Sequence, residues 1–186
     1  MTGQDRPHLA LVGGMGAGKT VVGALVAERC RRRHVDLDRW IQADTGRSIG
    51  VVFAESGEDG FRDAEQSSLG RALELAEPVV LSTGGGVLRR PANREALAAR
   101  ARVVWLRATP ETAAARVGDG TGRPLLEGGS PVEVLRRLDA ERSPLYEAAA
   151  DLVLDTDAAT PDQVADEVVA WLERLEGPAG RSAAPS

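Results

Sequence analysis

The segment Gly13-Gly14-Met15-Gly16-Ala17-Gly18-Lys19-Thr20 constrains this chain more than any other. It fits G-x-x-x-x-G-K-[ST] and stands between a short apolar run, Leu9-Ala10-Leu11-Val12, and a stretch with Val22, Leu25 and Val26 at helical spacing. A strand that passes through such a turn into a helix N-terminus makes a cradle for a polyanion. Glycines let backbone N–H groups turn inward, and the helix end adds its partial positive charge. Gly14, Met15, Gly16, Ala17 and Gly18 are therefore expected to wrap a nucleoside triphosphate. Lys19 is expected to reach its β and γ phosphates, and the Thr20 hydroxyl to ligate Mg²⁺. Composition sharpens the reading: of 23 basic residues, Lys19 is the one lysine and the rest are arginine. A dinucleotide loop does not fit, because G-x-G-x-x-G begun at Gly14 puts Lys19 where the third glycine belongs.

Apolar runs alternate with helical patterns along the rest of the chain, as βα units of a parallel sheet require. Strands are expected at 9–12, 34–38, 78–82, 101–106 and 152–154. Helices are expected at 19–32, through Trp40 and Ile41, through Val51 to Phe53, and at 61–77, 109–117, 131–146 and 160–175. Gly57 to Gly60 reads as a turn, and Pro144 as a break in the sixth of these helices. The expectation is one three-layer α/β domain over residues 1–176, with a mobile glycine-rich lid at about 118–129 and a disordered small-residue tail at 177–186. Aromatic residues make up 3% of the chain, so the core must be aliphatic. A net charge of -5 excludes the electrostatic footprint of a general nucleic-acid binder. No apolar run approaches the roughly 20 residues of a membrane span, and residues 1–8 are too polar for a signal peptide. Cys30 is the single cysteine, which favours a reducing compartment and a cytoplasmic location.

Three further constellations face the phosphate loop. Asp36 and Asp38 are two apart on an expected strand, so both side chains would share a face at its C-terminal end. Such a pair can hold Mg²⁺ through water and orient a hydroxyl, although Asp38 also suits a helix cap. Gly84-Gly85-Gly86 follows the third strand and permits close approach of the backbone to a ligand, with a nest of N–H donors; an ordinary turn is the alternative. Arg62 has Glu65 three residues on, a spacing that braces a guanidinium while leaving its fork for a carboxylate; a solvated helix face shares that pattern. Arg142 is equally ambiguous by itself. Arg123 lies in the glycine-rich lid, the kind of place from which an arginine closes over a nucleotide.

Taken together, GGMGAGKT, VDLD, DTGRSI, GFRDAE, STGGGV, GRPLL, ERSPLY and DTDAATP resemble the shikimate kinase family, a branch of the nucleoside monophosphate kinase-like P-loop group. The resemblance runs from Leu9 to Leu175 in order. It implies a sheet in the order 2-3-1-4-5 and phosphorylation of the 3-hydroxyl of shikimate by Mg-ATP, the fifth step towards chorismate. It also implies that Asp38, Arg62, Gly84, Gly85, Gly86 and Arg142 hold shikimate, with Asp38 at the reacting hydroxyl and both arginines on the carboxylate. By the same resemblance Thr20 ligates Mg²⁺, Asp36 reaches it through water, Arg123 bridges the phosphates, and Arg116 and Pro161 flank the adenine. Phe53 and Phe61 match apolar walls of the shikimate pocket; Gln42 stands where many relatives carry Glu, which would weaken one brace of Arg62. Trp40 is a further candidate for the pocket, and a monomer is expected. A gluconate kinase and a non-catalytic nucleotide sensor are the rival readings.

Overall fold

Every residue of β1 (His8–Val12) is buried, and its side chains divide by the period of two between two separate cores. Ala10 and Val12 point to one face, Leu9 and Leu11 to the other. A strand covered on both sides must be apolar throughout, which is why this run reads as continuous rather than alternating. The computed structural model describes residues 6–118 and 130–177. In it β1 is the centre of a parallel sheet with β2 (Arg33–Asp36), β3 (Val79–Ser82), β4 (Ala101–Arg107) and β5 (Leu152–Asp155). The order is β2-β3-β1-β4-β5, as the resemblance implies.

Seven helices flank the sheet among the described residues. They are α1 (Lys19–Cys30), α2 (Leu37–Thr45), α3 (Ile49–Leu73), α4 (Pro91–Arg100), α5 (Pro110–Val117), α6 (Pro131–Ala149) and α7 (Pro161–Glu176). Helices α1 and α7 cover one face through Val22, Val26, Val168 and Leu172. Helices α3, α4 and α6 cover the other through Leu69, Leu73, Leu97 and Tyr146. Each such buried side chain contributes about 1.5–3 kcal/mol relative to exposure. A small third core, Ile41, Val52 and Phe61, joins α2 to α3 beside the sheet.

Several local expectations change. α1 stops at Cys30 because Arg31 adopts a left-handed conformation (φ 54°) as its C-cap, and Arg33 already belongs to β2. The expected turn at 57–60 narrows to an interruption at Gly57, and residues 58–60 are already helical. α3 thus runs through with a single kink at Gly57 (φ 68°, ψ −175°), a conformation that favours glycine. α6 likewise continues past Pro144 to Ala149. An internal proline costs about 3 kcal/mol, but Arg142 and Tyr146 on either side of it are both buried, and that packing holds the helix together. The stretch 87–100, which periodicity left unassigned, forms a single 3-10 turn (Val87–Arg89) and α4, opened by Pro91 at its first position. β2 ends at Asp36, so Asp38 lies in the first turn of α2 rather than on the strand.

Candidate active site

The carboxyl ends of β1, β2 and β3 sit side by side, since Leu11 and Asp36 both pair in register with Ser82. The segments that leave these strands therefore converge at the point where the chain reverses direction across the sheet, which is where open α/β sheets bind ligands. They enclose a cleft of about 840 Å³. Of the expected site residues, Met15, Gly16, Ala17, Gly18, Lys19, Thr20, Asp36, Asp38, Arg62, Gly84, Gly85, Gly86, Arg116, Arg142 and Pro161 line it. Gly14 does not line the cleft; its carbonyl instead accepts from Lys19 Nζ at 2.6 Å. Arg123 and the expected lid, Gly118 excepted, lie outside the described residues, as do positions 178–186 of the expected tail.

The nucleotide end is main chain. Gly16 has φ 78°, and a Cβ there would stand closer than 3.0 Å to the backbone of Ala113, so glycine is required on two counts. Lys19 Nζ also donates to Gly13 O at 2.8 Å, which arches the loop around its own lysine. Arg116 donates to Gly16 O at 3.3 Å and to Thr156 Oγ1 at 3.0 Å, joining the loop to the end of β5. Thr156 was not singled out from sequence, although its place just past a strand end in the cleft is a usable signal.

The carboxylate pair is arranged differently from the same-face expectation. Asp36 is the N-cap of α2, accepting from the Arg39 N–H at 3.2 Å, and it also accepts from Thr20 Oγ1 at 2.8 Å. The cap role considered for Asp38 thus belongs to Asp36, and the helical turn carries Asp38 into the cleft.

At the end of the cleft beside the triple glycine, Arg62, Glu65 and Arg142 are all buried. Arg62 donates to Glu65 at 2.6 Å, as the i,i+3 spacing suggests, and to Glu58 at 3.4 Å. Glu58 and Glu65, rather than Gln42, are its braces. Glu58 also pairs with Arg89, a tertiary contact with no local signature. Burial pushes the Glu65 carboxyl above its ordinary value, outweighing the Arg62 guanidinium that pulls it down. Tyr146 donates to Gly85 O beside Arg142, and burial raises its phenol to about 12.

The triple glycine has a specific cause. A Cβ at Gly84 would come closer than 3.0 Å to Glu65 Oε1, and one at Gly86 closer than 3.0 Å to the Arg62 guanidinium; at Gly85 it would meet Arg142 Nη1 at 3.4 Å. None of the three has positive φ. Gly84 and Gly86 therefore make room for the protein's own charged side chains. Two buried guanidiniums stand over consecutive residues of one turn. With Glu65 ionised, the three buried charges of this group still sum to one positive charge. Among the described residues Arg62 Nε and Arg142 Nε, like Glu65 Oε1, have no hydrogen-bond partner. An anionic ligand suits that arrangement. Phe53 and Phe61 stack at 4.4 Å on the adjoining wall. Trp40 is elsewhere: it packs on the sheet core with Arg33 and Arg71 over its ring.

Residues 15–173 match the model of the shikimate kinase family. The chain belongs to that family. It is accordingly an ATP-dependent kinase. The chain is 44% identical to a shikimate kinase of Chromohalobacter salexigens over 94% of its own length and 97% of that relative's. It is also 44% identical to the shikimate kinase of Pseudomonas syringae pv. tomato over 90% and 97%. Among solved structures it is similar to shikimate kinase from Acinetobacter baumannii in complex with shikimate, with a TM-score of 0.87, 34% identity and 97% of each chain covered. A gluconokinase from Sinorhizobium meliloti, at 23% identity and a TM-score of 0.61, shares the fold.

Proposed function

We propose that this shikimate kinase family member transfers the γ-phosphoryl group of ATP to the 3-hydroxyl of shikimate, with Lys19, Asp38 and Arg123 as its catalytic residues. The observation that carries the acceptor is the pair of buried guanidiniums, Arg62 and Arg142, over one glycine turn, with Nε atoms unpartnered among the described residues. They suit a carboxylate at a fixed distance from the phosphate loop. The family membership favours shikimate over gluconate, and the presence of Lys19, Thr20 and Asp38 in one cleft with an acceptor end argues against a nucleotide sensor.

Phosphoryl transfer has a loose transition state, so the protein mainly positions groups and offsets charge. Lys19 and the loop N–H groups hold the phosphates, Arg116 and the segment at Pro161 border the base, and Arg123 is assigned to the phosphates by resemblance. Arg62 and Arg142 fix the acceptor through its carboxylate while Asp38 accepts a hydrogen bond from the attacking hydroxyl. Thr20 and Asp36 offer one hydroxyl and one carboxylate oxygen at the mouth of the cleft, hard donors that fit Mg²⁺ with water completing its shell. When bound, that ion would neutralise charge on the β and γ phosphates. A monomer remains part of this reading, and the lone Cys30 suits a reducing cytoplasm.

The test is ADP release with Mg-ATP, comparing shikimate with gluconate, quinate and nucleoside monophosphates. Saturable turnover on shikimate alone is expected. Turnover on another acceptor with none on shikimate would overturn the assignment of the acceptor end.

A further inference from the structure

Behind the phosphate loop, outside the cleft, a polar chain crosses between two strands and α1. The buried Ser82 hydroxyl donates to the Lys19 carbonyl at 2.8 Å, and His34 Nε2 lies 2.8 Å from Ser82 Oγ. A hydroxyl has one proton. A carbonyl can only accept, so that proton goes to Lys19 O, and His34 must donate its Nε2–H to Ser82.

The surroundings are shaped for this pair. The Lys19 carbonyl is the one that Gly23 N–H meets by the helical i→i−4 rule. A Cβ at Gly23 would come closer than 3.0 Å to both Ser82 Oγ and His34 Nε2. A glycine inside a helix costs about 1 kcal/mol relative to alanine, and here it opens the notch through which the pair reaches the helix. His34 and Asp36 are two apart on β2 and so share a face. One is tied through Ser82 to the Lys19 carbonyl, the other directly to the Thr20 hydroxyl. The edge strand thus grips two successive residues of the turn that presents the phosphate-binding side chains.

We propose that His34 is a positioning residue for nucleotide binding: by donating to Ser82 it commits the Ser82 proton to Lys19 O and fixes the first turn of α1 against β3. This rests on the reading of Lys19 and Thr20 as phosphate and metal residues given above. Neither His34 nor Ser82 lines the cleft, so each acts through the helix.

The experiment is titration calorimetry of ATP and, separately, of shikimate on wild type, His34→Leu, His34→Gln, Ser82→Ala and the Leu/Ala double variant, with melting curves on the same samples. His34→Leu should weaken ATP about fivefold, the size of one hydrogen bond, and leave shikimate within about twofold. His34→Gln, which restores an N–H donor, should recover most of the loss. The double variant should bind ATP no worse than Ser82→Ala alone, because the two partners share one bond. ATP affinity unchanged in His34→Leu, or lowered equally with that for shikimate and not recovered by Gln, would overturn the proposal. Should His34→Leu fail to fold, Gly23→Ala keeps His34 and crowds the pair. It must then weaken ATP selectively, and unchanged ATP affinity would equally overturn the proposal. Binding rather than turnover is measured, so an error in the assigned acceptor would show separately, as absent shikimate turnover in the wild type.

Discussion

The end of the cleft proposed for the nucleotide is shaped by main chain around Lys19 and Arg116, whereas the end proposed for the acceptor is lined by buried charged side chains. The loop at 13–18 needs left-handed glycines and a lysine that hydrogen-bonds its own carbonyls. The turn at 84–86 has no left-handed glycine; Gly84 and Gly86 lack side chains because Glu65 and Arg62 occupy the space, while a Cβ at Gly85 would only touch Arg142. Glycine clusters of similar appearance in the sequence thus do different work. One shapes a cradle of backbone; the other admits buried charged side chains. A backbone site is set by local conformation, while a side-chain site depends on three elements docking correctly.

The largest expected effect breaks the nucleotide end alone. Lys19→Ala should lower kcat/KM by about 10³-fold, the scale of removing one charge-stabilising donor, with shikimate binding by calorimetry little changed. A parallel loss of shikimate binding would show that the two ends are not separable. Asp38→Asn should cost about 10²-fold or more in kcat with ATP affinity retained; near-normal turnover would remove Asp38 from its place at the hydroxyl. Arg62→Lys should raise the KM for shikimate about 10- to 100-fold, since a point charge cannot replace a braced fork. Its KM for ATP should not move, and an unchanged KM for shikimate would take Arg62 out of the site.

The smallest effect concerns Glu65. Its folded-state pKa is raised by burial, so the native state holds the proton more tightly than the unfolded chain. The resulting stabilisation is fully present below the ordinary carboxylate value and is lost as pH rises through the higher folded value. Asp155, whose carboxyl Arg107 holds low, has the opposite slope. In urea unfolding, the stability of wild type relative to Glu65→Gln should therefore fall as pH rises across that window; a rising difference would mean that the Arg62 pair outweighs burial.

The same division accounts for what could be read from the sequence. The five strands, the sheet order and the nucleotide loop were legible because each rests on a contiguous pattern or a familiar combination of motifs. Arg62 with Glu65 was legible as a spacing, but its burial was not, since i,i+3 pairs occur on exposed faces as well. The strand face argued for Asp36 and Asp38 belongs in fact to His34 and Asp36, because β2 ends two residues earlier than its apolar pattern suggests. Glu58, Tyr146 and Ser82 act through partners 31, 61 and 63 residues away. No window of sequence shows such contacts. Pro144 misled for the same reason: tertiary burial on both sides outweighs its local penalty.

On the proposed reading, a glycine at the acceptor end serves the acceptor by admitting a charged side chain. Gly86→Ala tests it most directly, because alanine is allowed by the backbone there (φ −105°) yet its methyl would press on the Arg62 guanidinium. Calorimetric titration of this variant should show shikimate binding weakened about tenfold, the size of a disturbed charged hydrogen bond, with ATP binding at the wild-type value. Equal weakening of both ligands, or shikimate binding left intact, would contradict the account.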